Sequence, residues 1–350
     1  MIFGGGACLC SAAFSLRIPS FNLHTMPDAS PTPLLSWLRL CRAPNVFTAL
    51  ADVSMGFLVA RRTLDEIGVF ALLAAASACL YTAGMVLNDV FDVEIDLKER
   101  PFRPLPSGQI GIRTAQVFGF GLLVMGILLG GAAGYASLAK NAVELPWRSG
   151  AIAALLAGSV LFYDGFLKKT PFGPLGMGLC RFFNVLMGMS VAHLATGPSW
   201  LLHFEPIELL PAAGIGLYIV GVTWFAKGEA GRSQVLNLLG GMATMAVGIG
   251  LVGWWGNLLR AQLFNFGANA IYAFWLLLAV MLLVGQRRCL DAVLNPEPPL
   301  VQAAIKQSIF SLILFDAAIT SFGTGRPEFG LGVALLLAPT MLLGRWVYST

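Results

Sequence analysis

Nine consecutive residues, "NDVFDVEID", bring together Asn88, Asp89, Asp92, Glu94 and Asp96 where one of the most apolar runs of the chain ends. Neighbouring ionised carboxylates repel one another and are costly beside hydrocarbon, so such a cluster calls for a cation. If the preceding apolar run continues as a helix, at about 100° per residue, Asn88, Asp89, Asp92 and Asp96 share one face. Glu94 points to the other side. A face made of Asp89, Asp92 and Asp96 suits Mg²⁺, which takes oxygen ligands and is commonly held by one or two carboxylates while substrate phosphates complete its shell. The following residues, "LKERPFRPLPSG", put Arg100 and Arg103 in a loop that Pro101, Pro104 and Pro106 keep from being helical. The plain alternative, a solvated acidic helix end, fits poorly with a loop that is otherwise basic.

The elements that must position these residues follow from composition. Of 350 residues, 57% are hydrophobic and 11% charged, whereas soluble domains carry about 25% charged residues. Mean hydropathy is +0.77. Runs at 68–87, 115–138, 175–195 and 266–285 reach the ~20 residues that cross ~30 Å of hydrocarbon. The sequence therefore predicts an all-α, polytopic membrane bundle of nine or ten transmembrane helices. They fall near 44–60, 68–90, 114–138, 150–164, 174–196, 207–226, 235–255, 267–285, 302–321 and 330–347. Residues 1–35 are expected to be a tail, targeting or linker segment and 36–350 the membrane domain. The first 25 residues, with no acidic group and one Arg, fit a targeting peptide, a flexible tail or sequence upstream of a start at Met26.

Lys and Arg are unevenly shared between alternate loops. Arg39, Arg42, Lys98, Arg100, Arg103, Arg113, Lys168, Lys169, Lys227 and Arg232 are among those on one side. Arg61, Arg62, Lys140, Arg148, Arg260 and Arg326 make up the other. The positive-inside rule then places the N-terminus, the acidic cluster and the loops around Lys168 and Lys227 in the cytoplasm. The basic residues form no dense patch, which argues against nucleic acid as a partner. Six Cys and three His show no metal-ligand spacing beyond a lone C-x-C near the start.

The cluster and its trailing loop resemble the first aspartate-rich motif of the UbiA superfamily of intramembrane prenyltransferases. The form N-D-x-x-D-x-x-x-D followed by R-P-L-P-S-G is most like the branch of chlorophyll synthases and archaeal ether-lipid prenyltransferases, and EboC-like proteins. The resemblance implies that Asn88, Asp89, Asp92 and Asp96 hold Mg²⁺ and the diphosphate of an isoprenyl diphosphate, with Arg100 and Arg103 in the adjoining loop. "FYDGFLKKTPFGPLGMGLCRFFNVLMG" resembles the connection between the family's fourth and fifth segments. It implies that Tyr163, Lys168, Arg181 and Asn184 lie near the diphosphate. Cations opposite a polyanionic leaving group are also what the chemistry requires. Lys168 and Lys169 are equally explained as topology signals, whereas Arg181 lies inside an apolar run, where a charge points to function first and to a snorkelling interfacial residue second. "LCRAPNVFTALADV" resembles the first segment, with Asn45 in the pocket. Asp52 is an intramembrane carboxylate that either lines the cavity or stands apart from it.

One departure stands out. The family usually carries a second D-x-x-x-D after its sixth segment, where this chain has "TWFAKGEAGRSQ". Glu229 is the only carboxylate there, Lys227 precedes it, and Arg232 and Ser233 resemble the residues that commonly follow. The expected activity is Mg²⁺-dependent transfer of a prenyl group to an aromatic or lipid-like hydrophobic acceptor within the bilayer. Asp89, Asp92, Lys168 and Arg181 would do the chemistry, and Glu229 would be left to a weakened second metal position. The weakened motif leaves open a non-catalytic relative that binds or moves an isoprenoid or aromatic molecule. An ion-coupled transporter using Asp52, Arg181 and Asp316 would leave the acidic helix end unexplained.

Overall fold

Hydrophobic segments of this length can satisfy their backbone in lipid only as helices, and helices make up nearly all of the regular structure. A computed structural model describes residues 32–138, 145–192, 201–228, 233–262 and 268–347. The expected N-terminal segment falls almost wholly outside these. In chain order the helices are α1 (Pro33–Leu40), α2 (Ala43–Arg61), α3 (Ile67–Phe91), α4 (Val93–Glu99), α5 (Ile112–Leu138), α6 (Trp147–Gly165) and α7 (Gly173–Met189). There follow α8 (Pro206–Phe225), α9 (Val235–Gln262), α10 (Ala268–Leu294), α11 (Pro298–Thr324), α12 (Pro327–Ala334) and α13 (Leu337–Trp346). Among the described residues nine segments are long and apolar enough to cross a membrane. The last of them combines α12 and α13, which are broken by a turn at Leu335 and Leu336. The tenth expected span, α7, is a helix of 17 residues. It is shorter than expected because its chain turns away after Met189.

Packing order decides what can meet. α3 runs along α5 and touches α6, while α7 is wedged among α2, α6 and α8. α11 closes the bundle against α2 and α10. The α2–α7 approach is unusually close. A Cβ on Gly56 would run into the Val185 carbonyl, and one on Gly188 into that of Val53. Small residues at a crossing let two backbones touch where lipid gives no hydrophobic drive. One turn from this crossing, on the facing sides of the same helices, lie Asp52 and Asn184.

The turn that follows the short α7 is tied down from α6. Arg148, buried on the first turn of α6, donates from Nε to Ser190 O at 2.7 Å and from Nη2 to Ala192 O at 2.6 Å. Its guanidinium also lies over Phe204, 4.7 Å from the ring centroid. A cation at a helix C-terminus is where the helix dipole favours one.

At the other end, α1 fastens the Pro101–Gly108 loop. Leu40 joins Val86, Val90, Leu105, Ile110 and Ala115 in a small separate core, with Trp37 against it. Ser36 Oγ donates to Gln109 Oε1 at 2.7 Å. The loop closes through Gly108, whose φ of +75° is a left-handed conformation that glycine tolerates.

Candidate active site

Helix α3 carries its acidic motif out of the bundle, and there the expected continuous helix is interrupted. It ends at Phe91, Asp92 takes a turn conformation (φ −96°, ψ 1°), and α4 resumes at Val93. The turn re-aims α4 so that Asp96 is buried while Glu94 stays exposed, which keeps the contrast between faces that the spacing predicts. Asp89 Oδ1 accepts from Arg42 Nη2 at 3.3 Å and from Arg103 Nη1 at 3.4 Å. The same Arg103 nitrogen lies 2.7 Å from Asp96 Oδ2. Asp92 Oδ1 meets Lys168 Nζ at 2.8 Å, and Lys168 also donates to Asn88 Oδ1 at 3.2 Å. These pairs are largely shielded from solvent, where Coulomb attraction is screened far less than on an open surface.

Deeper in the bundle, the α2–α7 contact assembles a second polar group. Asp52 Oδ2 accepts from Arg181 Nη1 at 2.7 Å and from Asn184 Nδ2 at 3.2 Å. Arg181 Nη2 donates to Thr48 Oγ1 at 2.8 Å, and its guanidinium lies 5.5 Å from the Tyr81 ring centroid. Asn184 also donates to Ala49 O at 2.9 Å and accepts from Ser77 Oγ at 2.7 Å. Asp316 of α11 is fully buried as well. Neither of its oxygens has a hydrogen-bond partner among the described residues.

Between the two groups lies a cavity of about 400 Å³. Of the residues expected from sequence, Asn45, Asn88, Asp92, Arg100, Arg103, Tyr163, Arg181 and Asn184 line it. Asp52, Asp89, Asp96 and Lys168 do not line it; each holds a residue that does. Lys227 is exposed just beyond Ala226, a lining residue, and Ser233 is buried with its hydroxyl donating to Gly228 O at 3.3 Å. Glu229 and Arg232 lie outside the described residues. The rest of the lining is mostly apolar, with Leu80, Met85, Leu156, Val160, Ile219 and Ile305 among it.

Arg42, Tyr81 and Asp164 are among the lining residues that the sequence does not single out. Arg42 reads there as a loop charge, and Tyr81 sits in an apolar run with nothing to distinguish it. Asp164 follows Tyr163 directly, and an ionisable group inside a span is itself a signal of a site.

A polar, ion-paired entrance on an apolar cavity in a helical bundle can be compared with known proteins. Residues 49–294 match the model of the UbiA prenyltransferase family. The chain belongs to that family. Among curated relatives, the digeranylgeranylglyceryl phosphate synthase of Saccharolobus solfataricus is 35% identical over 139 residues, 40% of this chain and 45% of the relative. The enzyme of the same name from Ignicoccus hospitalis is 35% identical over 180 residues, 51% and 54% of the two chains. The chain thus spans about half the length of these relatives. Among solved structures, one of digeranylgeranylglyceryl phosphate synthase in membranes superposes with a TM-score of 0.54 at 21% identity, covering 86% of this chain and 99% of that one. A UbiA homolog from Archaeoglobus fulgidus bound to Cd²⁺ gives 0.51 at 15% identity, with 84% and 99% covered. These two likenesses show the UbiA fold, which the aspartate motif anticipated.

Proposed function

We propose that this UbiA family protein transfers a prenyl group from an isoprenyl diphosphate to a hydrophobic acceptor inside the membrane, with Mg²⁺ at the first aspartate motif. The observation that carries this reading is the cavity itself, with cations and carboxylates at the end of α3 and apolar walls one and two turns further into the bundle. That is the shape of a substrate with a polyanionic head and a hydrocarbon tail.

The donor set fits Mg²⁺. Asp92 and Asn88 offer hard oxygen ligands at the cavity, with Asp89 and Asp96 beside them, and neither thiolate nor imidazole competes in the motif. Among the described residues no three carboxylate, imidazole or thiolate groups are gathered closely enough to cage a metal alone, so substrate phosphates would complete the shell. Mg²⁺ bound there would polarise the diphosphate and ease its departure.

The chain's own residues do the rest. Arg42, Arg100 and Arg103 present positive charge to the diphosphate at the lining, and Lys168 fixes Asp92 and Asn88. Preorganised charge aimed at a developing anion accelerates ionisation without reorganisation at the moment of reaction. Tyr81 and Tyr163 line the same space, and the negative face of an aromatic ring stabilises a cation such as an allylic one. The apolar walls exclude water that would otherwise capture it. Arg181, tied to Asp52 and Thr48, is held rigidly at the cavity. The cytoplasmic placement of this end, inferred from the Lys and Arg asymmetry, puts it where soluble diphosphates are found.

The test is release of pyrophosphate from geranylgeranyl diphosphate by purified protein in nanodiscs, with and without Mg²⁺ and a lipid hydroxyl acceptor. Mg²⁺-dependent release is the expected result. A second reading is favoured by one observation: Asp89, Asp92 and Asp96 are each engaged by Arg or Lys. In a non-catalytic carrier those cations would replace the metal, and the same assay would show no release even though a calorimetric titration shows the diphosphate bound.

A further inference from the structure

Asp164 sits on the last turn of α6, 2% exposed and lining the cavity. Its Oδ2 has no hydrogen-bond partner among the described residues. A buried carboxylate without a donor is costly, and the bland expectation for such a group is a nearby Arg or Lys. The cations in its neighbourhood are committed elsewhere. Lys168 meets Asp92 and Asn88, and Arg42 meets Asp89. Asp164 lines the same cavity as Arg42 and Asp92, and Lys168 and Asp89 are also among the charges near it, so it belongs to the neighbourhood of the first motif but approaches from a different helix.

A diphosphate alone would repel this group. A divalent cation arriving with a diphosphate would attract it. We infer that Asp164 is a ligand of a divalent cation, gripping it together with Asp92 from across the cavity. The inference rests on the isoprenyl diphosphate reading above and adds a residue to it. It also supplies what the chain lacks elsewhere, because the segment after α8 carries Glu229 as its only carboxylate. Two carboxylates, one from the turn after α3 and one from α6, completed by phosphate oxygens, satisfy an ion that needs only one or two from protein.

The experiment uses full-length protein in nanodiscs and Mn²⁺ as the probe, read by the loss of its free electron paramagnetic resonance signal. A non-cleavable geranylgeranyl thiolodiphosphate is either present or absent. Wild type should bind Mn²⁺ tightly only with the analogue. Loss of outer partners of metal ligands already weakens metal sites 10–100-fold, so Asp164→Asn should weaken Mn²⁺ binding by about tenfold or more. Exposed Glu94→Gln should leave it unchanged. Asp164→His, which swaps an oxygen for an imidazole nitrogen, should shift preference from Mn²⁺ towards Zn²⁺ by about tenfold. Mn²⁺ affinity in Asp164→Asn equal to wild type, or an unshifted Zn²⁺ to Mn²⁺ ratio in Asp164→His, overturns the assignment. Failure of wild type to bind Mn²⁺ with the analogue would instead remove the diphosphate reading on which it depends.

Discussion

Asp92 and Glu94 lie two residues apart and meet opposite environments, which makes them the sharpest test of the acidic motif. Asp92 lines the cavity and holds Lys168 at 2.8 Å, whereas Glu94 is exposed. Asp92→Ala should abolish Mg²⁺-dependent diphosphate binding in a calorimetric titration, and Glu94→Ala should leave it within about twofold, as surface changes usually do. Equal losses from both would mean that the cluster acts only through its summed charge. Asp52 and Arg181 make a different kind of pair. Removing one partner of a buried pair leaves an uncompensated charge at a cost of about 3–5 kcal/mol, whereas replacing both by apolar groups is often neutral. Asp52→Leu should therefore lower thermal stability markedly, and Asp52→Leu with Arg181→Leu should recover most of it while diphosphate binding stays lost. The acidic face, Lys168 and Arg181 were legible in sequence because charged residues next to apolar runs are conspicuous. Arg42 and Tyr81 were not, because their roles come from which helices touch, and a sequence read one segment at a time carries no such information.

Most helix spans could be read from hydropathy to within a few residues, although α9 and α10 run past their expected ends and α7 stops short of its own; the breaks could not. The turn at Asp92 and the split between α12 and α13 interrupt runs whose composition is continuous, and only tertiary partners hold them there. The α2–α7 crossing is the element on which the deeper polar group depends. Gly56 and Gly188 each face the other helix's backbone so closely that a side chain forces the helices apart. Gly56→Leu should cost about 1–3 kcal/mol of overpacking and reduce diphosphate affinity as well, because separating α2 from α7 pulls Asp52 away from Arg181. A loss of stability with unchanged affinity would show that the cavity tolerates the shift. Which glycines meet across a crossing cannot be read from one segment at a time.

At the scale of the molecule, one prediction concerns sidedness. Lys168 on the connection after α6 meets Asp92 after α3, so these two connections share one end of the bundle. Cysteines placed at Gly108 and Thr170 should both react with an impermeant maleimide only after cells are permeabilised. Labelling of either in intact cells would reverse the orientation drawn from the Lys and Arg asymmetry. The short α7 has its own consequence for the surrounding lipid. Seventeen residues rise about 26 Å at 1.5 Å each, less than the ~30 Å of an average hydrocarbon layer. Arg148 holds the turn that ends this helix by donating to the Ser190 and Ala192 carbonyls. With Leu175 and Leu179 of α7 facing outward, acyl chains beside this helix must compress to match it, a hydrophobic mismatch of a few ångströms. The protein should therefore prefer thin membranes, and its turnover in vesicles of graded acyl length should peak at chains shorter than those that suit its longer helices.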